Sequence, residues 1–126
     1  MNPERWIAAG ALSMGLAVVL GAFGAHALEE RLAAAGQAEA WRTAVLYQAL
    51  HALALIALGL MPARLGPRPA GWLFLIGSAL FSGSLYGLAL EGPKAILGPV
   101  TPLGGTLMIA GWLVLGWTAW RRSAAA

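Results

Sequence analysis

Charged residues divide this chain into four long apolar stretches. Trp6–Leu28 lies between Arg5 and Glu29, Thr43–Ala63 between Arg42 and Arg64, Pro69–Leu90 between Arg68 and Glu91, and Ala95–Trp120 between Lys94 and Arg121. A helix rises 1.5 Å per residue, so about 20 mostly apolar residues cross the roughly 30 Å of bilayer hydrocarbon. All four stretches are long enough. Breaker residues reinforce the divisions: Pro62, Pro67 and Pro69 punctuate MPARLGPRPAG, and Pro93, Pro99 and Pro102 punctuate EGPKAILGPVTPLGG. Thr101 before Pro102 reads as an N-cap followed by the first helical residue, which starts the last helix there. The pattern predicts an all-α, integral membrane four-transmembrane-helix bundle, a single membrane domain of residues 1–126. Its spans fall at about 6–28, 41–62, 69–90 and 101–121.

The connection LEERLAAAGQAEAW is rich in helix formers and broken only by Gly36. Leu28 and Leu32 lie four residues apart with charges between them, which suits a short interfacial helix. A plain extension of the first span fits the same residues. Ala25-His26-Ala27 has the small-x-small form of a cleavage site. A signal h-region, however, has about 7–15 apolar residues, and this run is longer. A retained first helix is the expectation.

Composition agrees with the pattern. Of 126 residues, 60% are hydrophobic and 10% charged, so a water-soluble fold would leave much apolar surface exposed. The formal charge of +3 comes from eight scattered basic residues, which carry topology information and no nucleic-acid footprint. With four spans, Arg5, Arg64, Arg68, Arg121 and Arg122 share one side, and Arg31, Arg42 and Lys94 the other. The excess predicts N-in/C-in. Trp6, Trp72, Trp117 and Trp120 fall near the inner ends, as an interfacial belt would place them. Cysteine is absent, which removes disulfides and thiolate chemistry.

Small residues recur inside the spans. Gly83 and Gly87, Gly21 and Ala25, and Ser78 and Ser82 form small-xxx-small pairs of the kind that let membrane helices approach closely. A shift of 62 positions aligns Gly15 with Gly77, Gly21 with Gly83, and Ala27-Leu28-Glu29 with Ala89-Leu90-Glu91. That is a faint echo of a parallel two-helix repeat.

Polar residues inside hydrocarbon are costly, so their depth is informative. His26 falls roughly 13 Å above the midplane when residues are counted from the span centre. Tyr47 and Gln48 lie in the outer half of the second span, with His51 near the middle and on the face of Tyr47. Ser82, Ser84 and Tyr86 occupy the outer half of the third span, and Thr101 and Thr106 begin the fourth. Two readings fit this outward polar cluster. The groups hydrogen-bond between helices, or they line a vestibule with His51 at its floor. A metal shared by His26 and His51 needs nitrogens at about 2.1 Å from the ion, whereas depth separates the two residues by about 10 Å. No metal site and no cofactor are expected. The acids Glu29, Glu30, Glu39 and Glu91 sit at the outer edge with no nucleophile beside them, so no enzyme is expected.

The segments GAFGAHALEERL, WRTAVLYQALHALAL, GSALFSGSLYGLAL and LGPVTPLGGTLMIAGW resemble those of the YgdD/YwdK family. These are small membrane proteins of unknown function, found in bacteria and with animal relatives. The resemblance implies four transmembrane helices and a bacterial inner-membrane location; it brings no substrate, cofactor or catalytic residue. The residues and the resemblance together suggest a non-enzymatic protein that binds a membrane lipid or small ligand, or serves as an accessory to assembly. Its partners would be lipid, a second copy of itself or another membrane protein. The alternative is an oligomeric channel or transporter with His51 in the pathway.

Overall fold

A computed structural model describes residues 1–62 and 68–125. Arg64 and Pro67, used above for the inner-side charge and the second break, lie outside the described residues. Five helices are present: α1 Pro3–Ala25, α2 Glu29–Ala34, α3 Ala38–Leu60, α4 Arg68–Ala89 and α5 Lys94–Ser123. Of these α1, α3, α4 and α5 are long and apolar enough to cross a membrane.

The ends of the helices follow local chemistry. Pro3 stands in the first turn of α1, where its missing N–H has no helical partner to lose, and Asn2 Oδ1 accepts the Arg5 N–H at 3.1 Å. α1 stops at Ala25, three residues before the expected end, because His26 leaves the helical region with φ −130° and ψ −85°. The Leu28 N–H then closes back on the Phe23 carbonyl at 2.8 Å. This turn makes α2 a separate short helix and overturns the reading of it as an extension of α1. Gly36 takes φ +65°, a left-handed conformation that favours glycine, so that the Gln37 N–H reaches the Leu32 carbonyl at 2.8 Å and α3 can begin.

α5 corrects the expected start at Thr101. It begins at Lys94, with Pro93 at the cap, and runs through both Pro99 and Pro102. Each proline removes one backbone bond, but the Leu97 N–H bonds to Pro93 O at 3.0 Å and the helix forms ahead of them. Thr101 is therefore an interior residue whose hydroxyl turns to α4.

Packing follows chain order among the long helices: α1 lies on α3, α3 on α4, and α4 on α5. The central pair, α3 and α4, carries most of the buried positions. One core cluster joins Trp6, Leu55, Leu58, Ala70 and Phe74; the other, at the opposite end, joins Leu32, Trp41 and Ala89. Leucines and valines such as Leu12, Val18 and Leu113 face outward. That surface is costly in water and suits hydrocarbon. Ser82 of the expected Ser78–Ser82 pair meets α3, but the closest approaches to backbone use glycines outside the expected pairs. A Cβ on Gly10 would stand 2.6 Å from Ala52 O, one on Gly59 2.7 Å from Pro3 O, and one on Gly104 2.7 Å from Gly77 O. Gly83 faces open space, and Gly87 faces the Leu97 side chain.

Candidate functional site

Two polar residues of α3, Gln48 and His51, are buried on the side that meets its neighbours, and both are hydrogen-bonded there. Gln48, 7% exposed, ties three helices together. Its Nε2 donates to the Ser13 carbonyl of α1 at 3.0 Å, and its Oε1 accepts the Tyr86 hydroxyl of α4 at 2.8 Å. A carbonyl can only accept, which sets the orientation of the amide. Ser82, 2% exposed, donates from α4 to the Ala44 carbonyl of α3 at 2.7 Å.

Between α4 and α5 the Ser84 and Thr101 hydroxyls lie 2.7 Å apart. Ser84 also reaches the Phe81 carbonyl at 2.9 Å, and Thr101 the Leu97 carbonyl at 3.4 Å. Each hydroxyl has one proton. The shorter pair of bonds makes Thr101 the donor to Ser84, and Ser84 the donor to Phe81 O.

His51 is 4% exposed and held at both ring nitrogens. Trp112 Nε1 donates to its Nε2 at 3.1 Å, and Nδ1 lies 2.8 Å from the Tyr47 carbonyl. An indole N–H can only donate, so Nε2 carries no proton, and Nδ1–H donates to Tyr47 O. The geometry selects one neutral tautomer. Phe74 and Trp112 close over the ring, with centroids 5.4 and 6.0 Å away.

The remaining predicted residues stand apart from this network. Tyr47 is 39% exposed; its ring packs on Phe81 at 4.9 Å, and its hydroxyl has no hydrogen bond among the described residues. Thr106 is exposed and bonds only its own helix, at Pro102 O. His26 is exposed at the C-cap of α1 and is not brought to His51 by any bond among the described residues. Sequence reasoning missed the partners: Trp112, the Trp41 indole that donates to Leu20 O at 2.8 Å, and the carbonyls of Ser13 and Ala44. A tryptophan in mid-span, away from the interfacial belt, was the available signal for Trp112, because its N–H needs an acceptor. Among the described residues no buried side-chain nitrogen or oxygen lacks a partner.

Two openings flank this framework. A groove of about 370 Å³ runs between α1 and α4, walled by Leu12, Leu16, Leu20, Leu75 and Ala79. Gln48, Ser78, Ser82 and Tyr86 give it a polar lining, and Gly83 lines it as well. A crevice of about 490 Å³ lies on another side of α1, between the end of that helix, α2 and the start of α3. His51 lines neither. No group of three or more His, Asp or Glu able to hold a metal occurs among the described residues.

Comparison with known proteins places the chain among membrane proteins. The family described as "Protein of unknown function (DUF423)" matches residues 20–105. A UPF0382 membrane protein of Staphylococcus epidermidis is 46% identical over 112 residues, covering 87% of this chain and 90% of that one. The UPF0382 membrane protein YwdK of Bacillus subtilis is 41% identical over 114 residues, covering 87% and 91%. The UPF0382 membrane protein C1782.12c of Schizosaccharomyces pombe is 41% identical over 109 residues, covering 83% and 92%. No solved structure matches the chain.

Proposed function

The chain belongs to the DUF423/UPF0382 family of membrane proteins, whose function is unknown, and from that premise we propose that it is a non-enzymatic accessory protein that receives a partner's transmembrane helix in the groove between α1 and α4. The observation that carries this reading is Gly83. It lies in the groove four residues after Ala79, and a Cβ placed on it would meet nothing within 4 Å. Lipid gives helices no hydrophobic reason to associate, so docking depends on small residues and interhelical hydrogen bonds. The groove has both. Gln48 lines the groove, and its Nε2 has a second N–H besides the one on Ser13 O.

Catalysis has less support. The interior histidine is committed at both nitrogens, and the groove carries hydroxyls and an amide without a base beside them. We place the protein in the bacterial inner membrane as a multi-pass protein with both termini cytoplasmic. The basic residues Arg5, Arg68, Arg121 and Arg122 support that orientation.

The chain has no cysteine, so single-cysteine variants report without background. In native membranes Gly83→Cys is expected to crosslink to a second polypeptide. Gly15→Cys, also in open space but outside the groove, is expected to crosslink far less. Gly83→Leu fills the groove and should convert the assembly to monomer in a mild-detergent native gel, while Gly15→Leu leaves it intact. A wild-type protein that is monomeric in native membranes, or an assembly indifferent to Gly83→Leu, refutes the reading.

A further inference from the structure

The crevice beside α2 has no role in helix docking through the α1–α4 groove, and it differs from that groove in carrying charge. One wall is the end of α1, with Gly21, Gly24 and Ala25; the other is α3. Along α3 its lining runs from Arg42 through Leu46 to Ala49. Seven residues of helix carry it about 10 Å from a charged rim to an apolar depth. Glu29 of α2 faces the same crevice, so its mouth presents a carboxylate and a guanidinium over an apolar floor. Both side chains are exposed, and they do not pair with each other: among the described residues the ion pair is Arg31 with Glu91, at 3.8 Å. A boundary between charged ends and apolar spans is where lipid headgroups lie.

We propose that this crevice is a binding site for one phospholipid whose headgroup carries both a phosphate and a primary ammonium. Arg42 takes the phosphate, since a guanidinium presents two donors in the spacing of two phosphate oxygens. Glu29 accepts the ammonium, and one acyl chain lies along Leu46 and Ala49. The surrounding charges select the headgroup. Glu29, Glu30 and Glu39 still outnumber Arg42 and Lys94 once Arg31 is engaged with Glu91, so a headgroup with net negative charge meets repulsion where a zwitterion meets a partner. A quaternary ammonium cannot donate a hydrogen bond to the carboxylate, so ethanolamine is preferred to choline. A free phosphate would leave the apolar depth unfilled.

The test uses the full chain in nanodiscs of phosphatidylethanolamine mixed equally with phosphatidylglycerol, then native mass spectrometry after release into detergent. One phosphatidylethanolamine per chain should stay bound to the wild type. Arg42→Gln should lower that retention about tenfold, the low end for a charge-assisted hydrogen bond. Glu29→Gln should lower phosphatidylethanolamine retention and raise that of phosphatidylglycerol, which a merely structural role would not do. Ala25→Leu, at an exposed position in the crevice wall, should exclude both lipids. Circular dichroism checks that each variant keeps its helices. Gly83→Leu should leave lipid retention unchanged, which separates this site from the groove. Equal retention of both lipids by the wild type, or retention unaffected by Arg42→Gln in a folded variant, overturns the proposal. So does protection of the crevice by a second polypeptide in place of lipid.

Discussion

Gly104→Ala is a direct probe of how close α4 and α5 stand. The added Cβ would lie 2.7 Å from Gly77 O and 2.9 Å from Phe81 Cα, and closer still to Phe81 N. Carbon atoms rest at about 3.5–4.0 Å, so the helices must part by most of an ångström. Every obstructing atom belongs to the backbone of α4 and has no rotamer to take. A radial gap of about 0.5–1 Å forfeits a quarter to a half of each contact's attraction along the crossing. Overpacking of this kind costs about 1–3 kcal/mol, against up to about 1 kcal/mol gained from alanine's higher helix propensity. Because the blocked atoms are rigid, we expect a net loss of about 1–2 kcal/mol. Gly116→Ala in the same helix meets nothing within 4 Å and should gain up to about 1 kcal/mol. The assay is equilibrium unfolding of purified protein in mixed detergent micelles with increasing SDS, followed by circular dichroism and tryptophan emission. If Gly104→Ala unfolds within about 0.5 kcal/mol of Gly116→Ala, the close crossing is wrong.

The Gln48 network predicts coupling. Gln48→Leu removes two bonds worth on average about 0.6 kcal/mol each in membrane proteins and strands the Tyr86 hydroxyl, for a total loss of about 1–2 kcal/mol. Tyr86→Phe added to it should cost less than it does alone, and strict additivity in this double-mutant cycle would contradict the shared bond. For His51, nitrogen NMR of labelled imidazole should show a single Nδ1–H tautomer in the wild type. Trp112→Phe removes the donor to Nε2 while Nδ1–H stays bonded to Tyr47 O, so the tautomer should persist and the unprotonated Nε2 resonance should move downfield; an unmoved Nε2 signal would show that the indole does not donate to the ring.

The four spans are legible because hydrocarbon imposes a length and excludes charge, and both can be counted along the chain. The start of α5 is not. The rule that prolines open helices points to Pro102, but a helix tolerates Pro99 and Pro102 once it has begun at Lys94. The break at His26 escapes the apolar pattern as well, since a turn of three residues changes nothing in hydropathy.

Site residues divide the same way. The lopsided depth of Gln48, His51, Ser82, Ser84 and Tyr86 is visible from position alone, but their partners are not: Tyr86 for Gln48, Trp112 for His51, Thr101 for Ser84 and the Ala44 carbonyl for Ser82. Their acceptors are mostly backbone carbonyls, and every residue carries one, so no sequence signal distinguishes Ser13 O or Ala44 O. Glycines are equally mute in a chain that has 17 of them. What separates Gly104, pressed on α4, from Gly83, open to the groove, is which helix lies across it. Composition and spacing alone determined that the chain seeks a bilayer and how many times it can cross, because those depend on transfer from water residue by residue. Tertiary structure decided which polar groups satisfy one another and which small residues remain open, because those depend on the rotation and crossing of helices about their axes.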